Sequence, residues 1–217
     1  MRLEGRGAET AMSAREPVLN PVRIKTLRPT QMTLGLREVE EKRRMWRERG
    51  GEKGSEFLGR HMIPVVLGPK RRHYLIDHHH LARALEDEGV RDVLVNVVAD
   101  LSRLSRAAFW IFLDNRGWCH PYDAQGHRRD FDAIPATVAE MQDDPFRSLA
   151  GELRGAGGYA KDESPFSEFI WADFLRRRLK RKAVEKNFMT SLGEALILAK
   201  SEEANFLPGW CGPSRDD

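Results

Sequence analysis

Tyr74-Leu-Ile-Asp-His-His-His-Leu-Ala-Arg83 is the stretch on which the fold turns. Arg72 to Ile76 has the alternation of a strand, and His80 to Glu88 has helical composition that stops at Gly89, a residue suited to the left-handed position after a helix. An aspartate and three consecutive histidines therefore stand where a strand hands over to a helix. The first turn of such a helix presents unpaired backbone N–H groups and the positive end of its dipole, which together form an anion site. Imidazoles beside it can donate to phosphate oxygens, and Arg83, one turn on, can add a charged contact. His78, His79, His80 and Arg83 are thus the candidate phosphate-binding residues, and Asp77, His79 and His80 the candidate catalytic ones. Asp77 either binds a metal, orients a histidine or acts as a base, or is simply the helix N-cap. Adjacent residues of a regular element point in different directions, so at most two of the three histidines should face one site.

Working outward, Val22 to Leu27 alternates apolar and basic residues as a short strand, and Leu34 to Arg49 reads as a helix ended by Gly50, Gly51 and Gly54. Ile63 to Leu67 is a second strand, joined to Arg72–Ile76 by the turn residues Gly68-Pro-Lys-Arg71 as a hairpin. Val93 to Val98 is a third. The expected fold is α+β: a small mixed sheet with helices over residues 21–101, preceded by a mobile tail over 1–20 and followed by a helical region over 102–217 packed on it. In that region Asp100 or Ser102 is expected to cap a helix to Leu113, burying Ala108, Phe109 and Phe112. Asp144-Pro145 opens another, broken again at Gly151, Gly155, Gly157 and Gly158. Phe166 to about Val184 is expected as a single helix, and the capping-box spacing Ser191–Glu194 precedes a last helix to about Phe206.

The composition, 41% hydrophobic and 32% charged, is that of a soluble globular protein. No apolar run approaches the roughly 18–20 residues that span a bilayer, and Met1 to Asn20 lacks the apolar core of a signal peptide. A cytoplasmic location without a membrane partner is expected. A net charge of +3 permits nucleic-acid binding without demanding it, and Cys119 and Cys211 form neither a disulfide framework nor a metal pair.

Beyond the histidine segment, several strings carry a family resemblance. Asp77-His-His-His-Leu-Ala-Arg-Ala-Leu85 resembles the motif of the ParB/sulfiredoxin-like superfamily, and especially its Asp-Gly-His-His-Arg form in archaeal free-serine kinases. Leu27-Arg-Pro-Thr-Gln-Met-Thr-Leu-Gly-Leu-Arg-Glu-Val-Glu-Glu-Lys42, Gly117-Trp to Pro121-Tyr-Asp123, Asp143-Asp-Pro-Phe-Arg-Ser-Leu-Ala-Gly151 and Glu168-Phe-Ile-Trp-Ala-Asp173 resemble the ParB-like nuclease family. The resemblance implies a ParB/sulfiredoxin-like sheet, phosphate gripped by His79, His80 and Arg83, and catalysis assisted by Asp77 and by a first-helix glutamate, Glu38 or Glu41. His78 stands where the kinases have glycine. The Gly-Glu-Arg-Arg string of partition proteins and the Gly-Gly-Cys-His-Arg string of sulfiredoxins are missing.

Two further groups stand out. His120 and Asp123, in the aromatic loop from Gly117 to Gly126, form a secondary site if that loop folds over His79; otherwise they belong to a loop pinned by Trp118 and Tyr122. Leu175-Arg-Arg-Arg-Leu-Lys-Arg-Lys182 offers Arg176, Arg177, Arg178, Lys180, Arg181 and Lys182 either as a solvated helix end or as a DNA-contacting stripe. Asp143, Asp144 and Arg147 read as helix capping plus a surface pair. The leading function is nuclease cleavage of DNA, with a divalent metal as one source of the nucleophile. A nucleotide-dependent kinase or switch, and a non-catalytic DNA-binding protein, are the alternatives.

Overall fold

The computed structural model describes residues 21–213; the segment 1–20, read above as a mobile tail, lies outside the described residues. The strands are β1 (Pro21–Arg23), β2 (Thr33–Leu34), β3 (Ile63–Gly68), β4 (Arg72–Leu75), β5 (Asp92–Asp100) and β6 (Gln142–Asp143). The helices are α1 (Leu36–Arg60), α2 (His79–Asp87), α3 (Arg106–Asn115), α4 (Pro145–Gly155), α5 (Ser167–Arg176), α6 (Arg181–Lys186) and α7 (Phe188–Ala199). The fold is α+β.

The sheet has strand order β1-β5-β3-β4. β3 and β4 form the expected antiparallel hairpin, with Val65 opposite Leu75 and Val66 opposite Tyr74. β5 returns through α2 to lie parallel to β3, with a register shift at Val65/Val66, and β1 closes the other side antiparallel. One face of the sheet packs on α1 and α2 through Ile24, Leu27, Val39, Val65, Leu81 and Leu85. The other packs on α3 through Val66, Tyr74, Phe109, Trp110 and Leu113. A separate apolar cluster, built from Phe146, Leu149, Trp171, Leu175, Phe188 and their neighbours, ties α4 to α7 together.

Several expected boundaries move. Ile24–Thr26 is a 3-10 turn rather than a continuation of the strand. α1 runs through Gly50 and Gly51 to Arg60. Glycine costs a helix only about 1 kcal/mol, and Phe57, buried beside Trp46 at 5.4 Å between rings, holds the far end on the core. α3 is capped by Ser105, whose hydroxyl accepts from the Ala108 N–H. Its buried side is therefore Phe109, Trp110 and Leu113, with Ala108 and Phe112 outside. α4 continues through Gly151 to Gly155. The single helix expected from Phe166 to Val184 is two, α5 and α6, with the chain turning over 177–180. Ser191 lies inside α7, which begins at Phe188 and ends at Ala199, so the capping-box spacing there caps nothing.

The junction between the sheet region and the helices is specific. β2 and β6 pair in parallel, and the Asp143 carboxylate accepts the Leu36 N–H at the start of α1 (3.0 Å), whose own cap residue is Gly35. Asp143 thus caps a helix more than one hundred residues away, not the one that follows it. Gly35 is there because nothing larger fits: a Cβ would lie 2.7 Å from Ser148 Oγ and 2.9 Å from the Ser148 nitrogen. Among the described residues no helix is long and apolar enough to cross a membrane.

Candidate functional site

α2 is amphipathic, burying Leu81, Ala82, Ala84 and Leu85, and that burial anchors its first turn beneath a cavity of about 500 Å³. His78, at the N-cap, adopts the left-handed conformation (φ 62°) and offers no side-chain cap. Its own N–H donates to Asp77 Oδ1 at 2.6 Å. Ala82 is the first amide of α2 to bond backward, to the His78 carbonyl. The N–H groups of His79, His80 and Leu81, whose residues all line the cavity, make no hydrogen bond among the described residues. A helix end in that state has donors free for an acceptor such as an anion.

The histidines divide by role. His79 and His80 are buried; Asp77 and His78 sit exposed at the rim. Thr30 N–H donates to His79 Nε2 (3.2 Å), and Gly35 N–H donates to His80 Nε2 (3.0 Å). An amide can only donate, so both Nε2 atoms present lone pairs and each neutral ring carries its proton on Nδ1. Burial holds both rings neutral: His79 is pushed down to about 3, with the neighbouring His80 adding to the effect. His80 is driven well below its ordinary value by burial, then by Arg147 and Lys42. The 3.7 Å approach of His80 Nε2 to Glu38 Oε2 is accordingly not an ion pair. These rings can donate to a ligand through Nδ1–H, but their lone pairs are taken and they cannot serve as bases.

Across the cavity stand α1 and the segment 161–169. Glu38, Lys42, Phe57 and His61 come from α1 and its end. Arg147 and Arg154 come from α4, and Lys161, Glu168 and Phe169 from the segment before and into α5. Arg147 is the unexpected residue. It is not a surface group: only 8% exposed, it donates to Glu38 Oε2 at 3.2 Å, lies over the Phe169 ring, and leaves a buried Nε without a partner. A buried, half-satisfied guanidinium beside three open amides is where a tetrahedral oxyanion would complete the bonding. Arg154 is paired with Glu168. His61 stacks on Phe57 at 4.2 Å, and its Nδ1 lies 2.8 Å from the Phe57 carbonyl.

Other expected residues lie elsewhere. Arg83 is off the cavity: its guanidinium reaches Asp87 (3.0 Å) and the carbonyl of Met141 (3.3 Å), because one turn along α2 carries the side chain to the flank facing residues 138–141. His120 and Asp123 do not join His79. His120 is stacked among Tyr122, Phe166 and Phe169, behind the cavity wall, and burial pushes it down to about 3. Burial alone would raise the Asp123 carboxyl, but the amides of His127 and Gln125 and the Arg129 side chain hold it below its usual range. Both are loop-building residues. The basic run is likewise divided. Arg176 pairs with the buried Asp144 and with Asp173, Arg178 with Glu203, and Arg181 with Glu185, leaving Arg177, Lys180 and Lys182 exposed without an ion pair among the described residues. Between the two first-helix glutamates, Glu38 lines the cavity and Glu41 does not. Among the described residues no group of three or more His, Cys, Asp or Glu side chains is placed to hold a metal ion, so the divalent cation considered from the sequence has no preassembled protein cage.

Arg147, Lys42, Arg154, Lys161 and His61 were missed as site residues. Arg147 stands inside the string Asp143–Gly151, which is distinctive as a string, but nothing local marks its side chain as buried. Comparison with known proteins places this geometry in context. The family model described as "Putative ParB-like nuclease" matches residues 20–177. The crystal structure of protein Atu1540 from Agrobacterium tumefaciens is similar at 54% sequence identity and a TM-score of 0.84, covering 91% of this chain and 100% of that one. No curated protein matches.

Proposed function

The chain belongs to the ParB-like nuclease family, and on that premise we propose that its cavity binds and cleaves a phosphoester presented by a single nucleotide unit, such as a DNA strand end. One observation carries the reading: the three open amides of α2 and the buried, partly unpartnered Arg147 line the same cavity. The amides and the Nδ1–H groups of His79 and His80 would bind phosphate oxygens. Arg147, held in place by Glu38, would neutralise the charge that builds as the phosphorus is attacked. Asp77 remains at the rim, one oxygen engaged by the His78 amide. A volume near 500 Å³ suits a small ligand and not the side of a duplex. Arg177, Lys180 and Lys182 are the cations left to attract the remaining nucleic acid.

Purified protein should hydrolyse bis(4-nitrophenyl) phosphate and shorten single-stranded DNA, with both activities lost in Arg147→Met. Cleavage that persists in this variant would point to a contaminating nuclease and sink the proposal. A second reading is transfer of a nucleotide's terminal phosphoryl group at the same amides. It is favoured by the aromatic wall of Phe57, Phe166 and Phe169, which offers a surface for a base or sugar. Calorimetric titration with ATP, ADP and CTP separates the two: micromolar nucleotide binding without diester hydrolysis selects transfer.

A further inference from the structure

The proposed reaction needs a proton acceptor, and Asp77 stands exposed at the rim with one oxygen engaged by the His78 amide. Glu38 is tied to Arg147, and the lone pairs of His79 and His80 are taken by backbone amides. Resting on the proposed phosphoester reading, we infer that His61 is the catalytic base of this cavity, taking a proton from the attacking water on Nε2. Three observations converge on it. His61 lines the cavity together with the α2 amides and Arg147. Its Nδ1 lies 2.8 Å from the Phe57 carbonyl, and a carbonyl only accepts, so Nδ1 carries a hydrogen and the lone pair of the neutral ring is on Nε2. The ring is held in that orientation by stacking on Phe57 (4.2 Å, 22° between planes), which is in turn packed edge-on against Trp46. Among the described residues Nε2 of His61 has no hydrogen-bond partner. It is the inverse of the arrangement at His79 and His80, and it is the arrangement a general base requires: one nitrogen anchored by donation, the other without a partner.

In the step, the water oxygen forms a bond to phosphorus while its proton passes to His61 Nε2. The bond from phosphorus to the leaving oxygen breaks, the electron pair departs with that oxygen, and solvent protonates it. The imidazolium then returns its proton to solvent, restoring the enzyme.

The test uses the full chain, labelled with 15N on histidine, and inorganic phosphate as the probe, with His61→Gln serving to assign the ring. The expected spectrum shows His61 protonated on Nδ1, with an Nε2 signal that moves as phosphate saturates the cavity. On bis(4-nitrophenyl) phosphate, His61→Ala should lose about 10²-fold or more in kcat with little change in KM, and added imidazole should restore part of it. A ring protonated on Nε2, a ring indifferent to bound phosphate, or a His61→Ala enzyme with wild-type turnover overturns the inference while leaving the phosphate pocket standing. A wild-type protein that neither binds phosphate nor cleaves the diester overturns the pocket reading, and this inference falls with it.

Discussion

Acidification from pH 7.5 to 5.5 should destabilise this protein far more than its carboxylates can explain. His79 and His80 are buried as neutral rings whose folded-state affinity for protons is strongly depressed. In the unfolded chain each binds a proton near pH 6.5. Protons therefore favour the unfolded state as soon as pH falls below about 6.5, and for His79 the loss continues until about pH 3, where the folded ring also protonates. Over the two units from 7.5 to 5.5, linkage gives about 1.4 kcal/mol per ring, or about 3 kcal/mol for the pair; the partly buried His120 raises this toward about 4 kcal/mol. That is a large share of an ordinary 5–15 kcal/mol stability. The window lies above the range in which carboxylates titrate in unfolded chains, so the histidines can be read separately. Urea unfolding at half-unit pH steps measures it. His79→Gln, which keeps an acceptor for the Thr30 amide but removes the titration, should lower the proton-linked slope by about one proton. A stability that is flat across this range, or an unchanged slope in His79→Gln, would refute the claim that these rings are held neutral as acceptors.

The other predictions separate binding from folding. Arg147→Met should weaken phosphate binding by roughly 10- to 100-fold, the value of one charge-assisted hydrogen bond, while the circular dichroism spectrum stays native. Gly35→Ala should cost about 1–3 kcal/mol in chemical unfolding, since its methyl would press on Ser148 and on the start of α1. Arg176→Ala should cost about 3–5 kcal/mol, because it strands the buried Asp144 carboxylate, and Lys182→Ala should stay within about 0.5 kcal/mol of wild type. If nucleic acid tracks along the exposed cations, Lys182→Ala should instead reduce the salt dependence of single-strand binding by about one ion, measured by fluorescence anisotropy.

The hairpin β3–β4, the helix α2 and the strand β5 were legible because local signals agree there: alternation, turn residues, an amphipathic helix and a terminal glycine. The open amides at the start of α2 belong to the same segment. What escaped the sequence depends on contacts between distant segments. Gly50 and Gly51 look like a helix stop, yet Phe57 packs on the core and carries α1 onward. Asp144 caps α4 as its place before Pro145 suggests, but its neighbour Asp143 caps α1, a contact that no local signal reveals. Arg177 to Lys180 carry strong helix formers but turn the chain, so the basic run does not present one face. Arg147 and His61 show the same limit more sharply. One is a buried arginine and the other a lone histidine at a helix end, and only the folded arrangement brings either to the cavity that the histidine triplet lines.

The central claim is that the open amides of α2 form the phosphate site. An amide proton–nitrogen correlation spectrum recorded during titration with inorganic phosphate tests it directly. The largest changes should fall on the N–H groups of His79, His80 and Leu81, with Arg147 Nε responding in step, and in Arg147→Met the three amides should respond only at roughly 10- to 100-fold higher phosphate. Phosphate that perturbs only Arg177, Lys180 and Lys182, or leaves the first turn of α2 unmoved at saturation, would contradict the account.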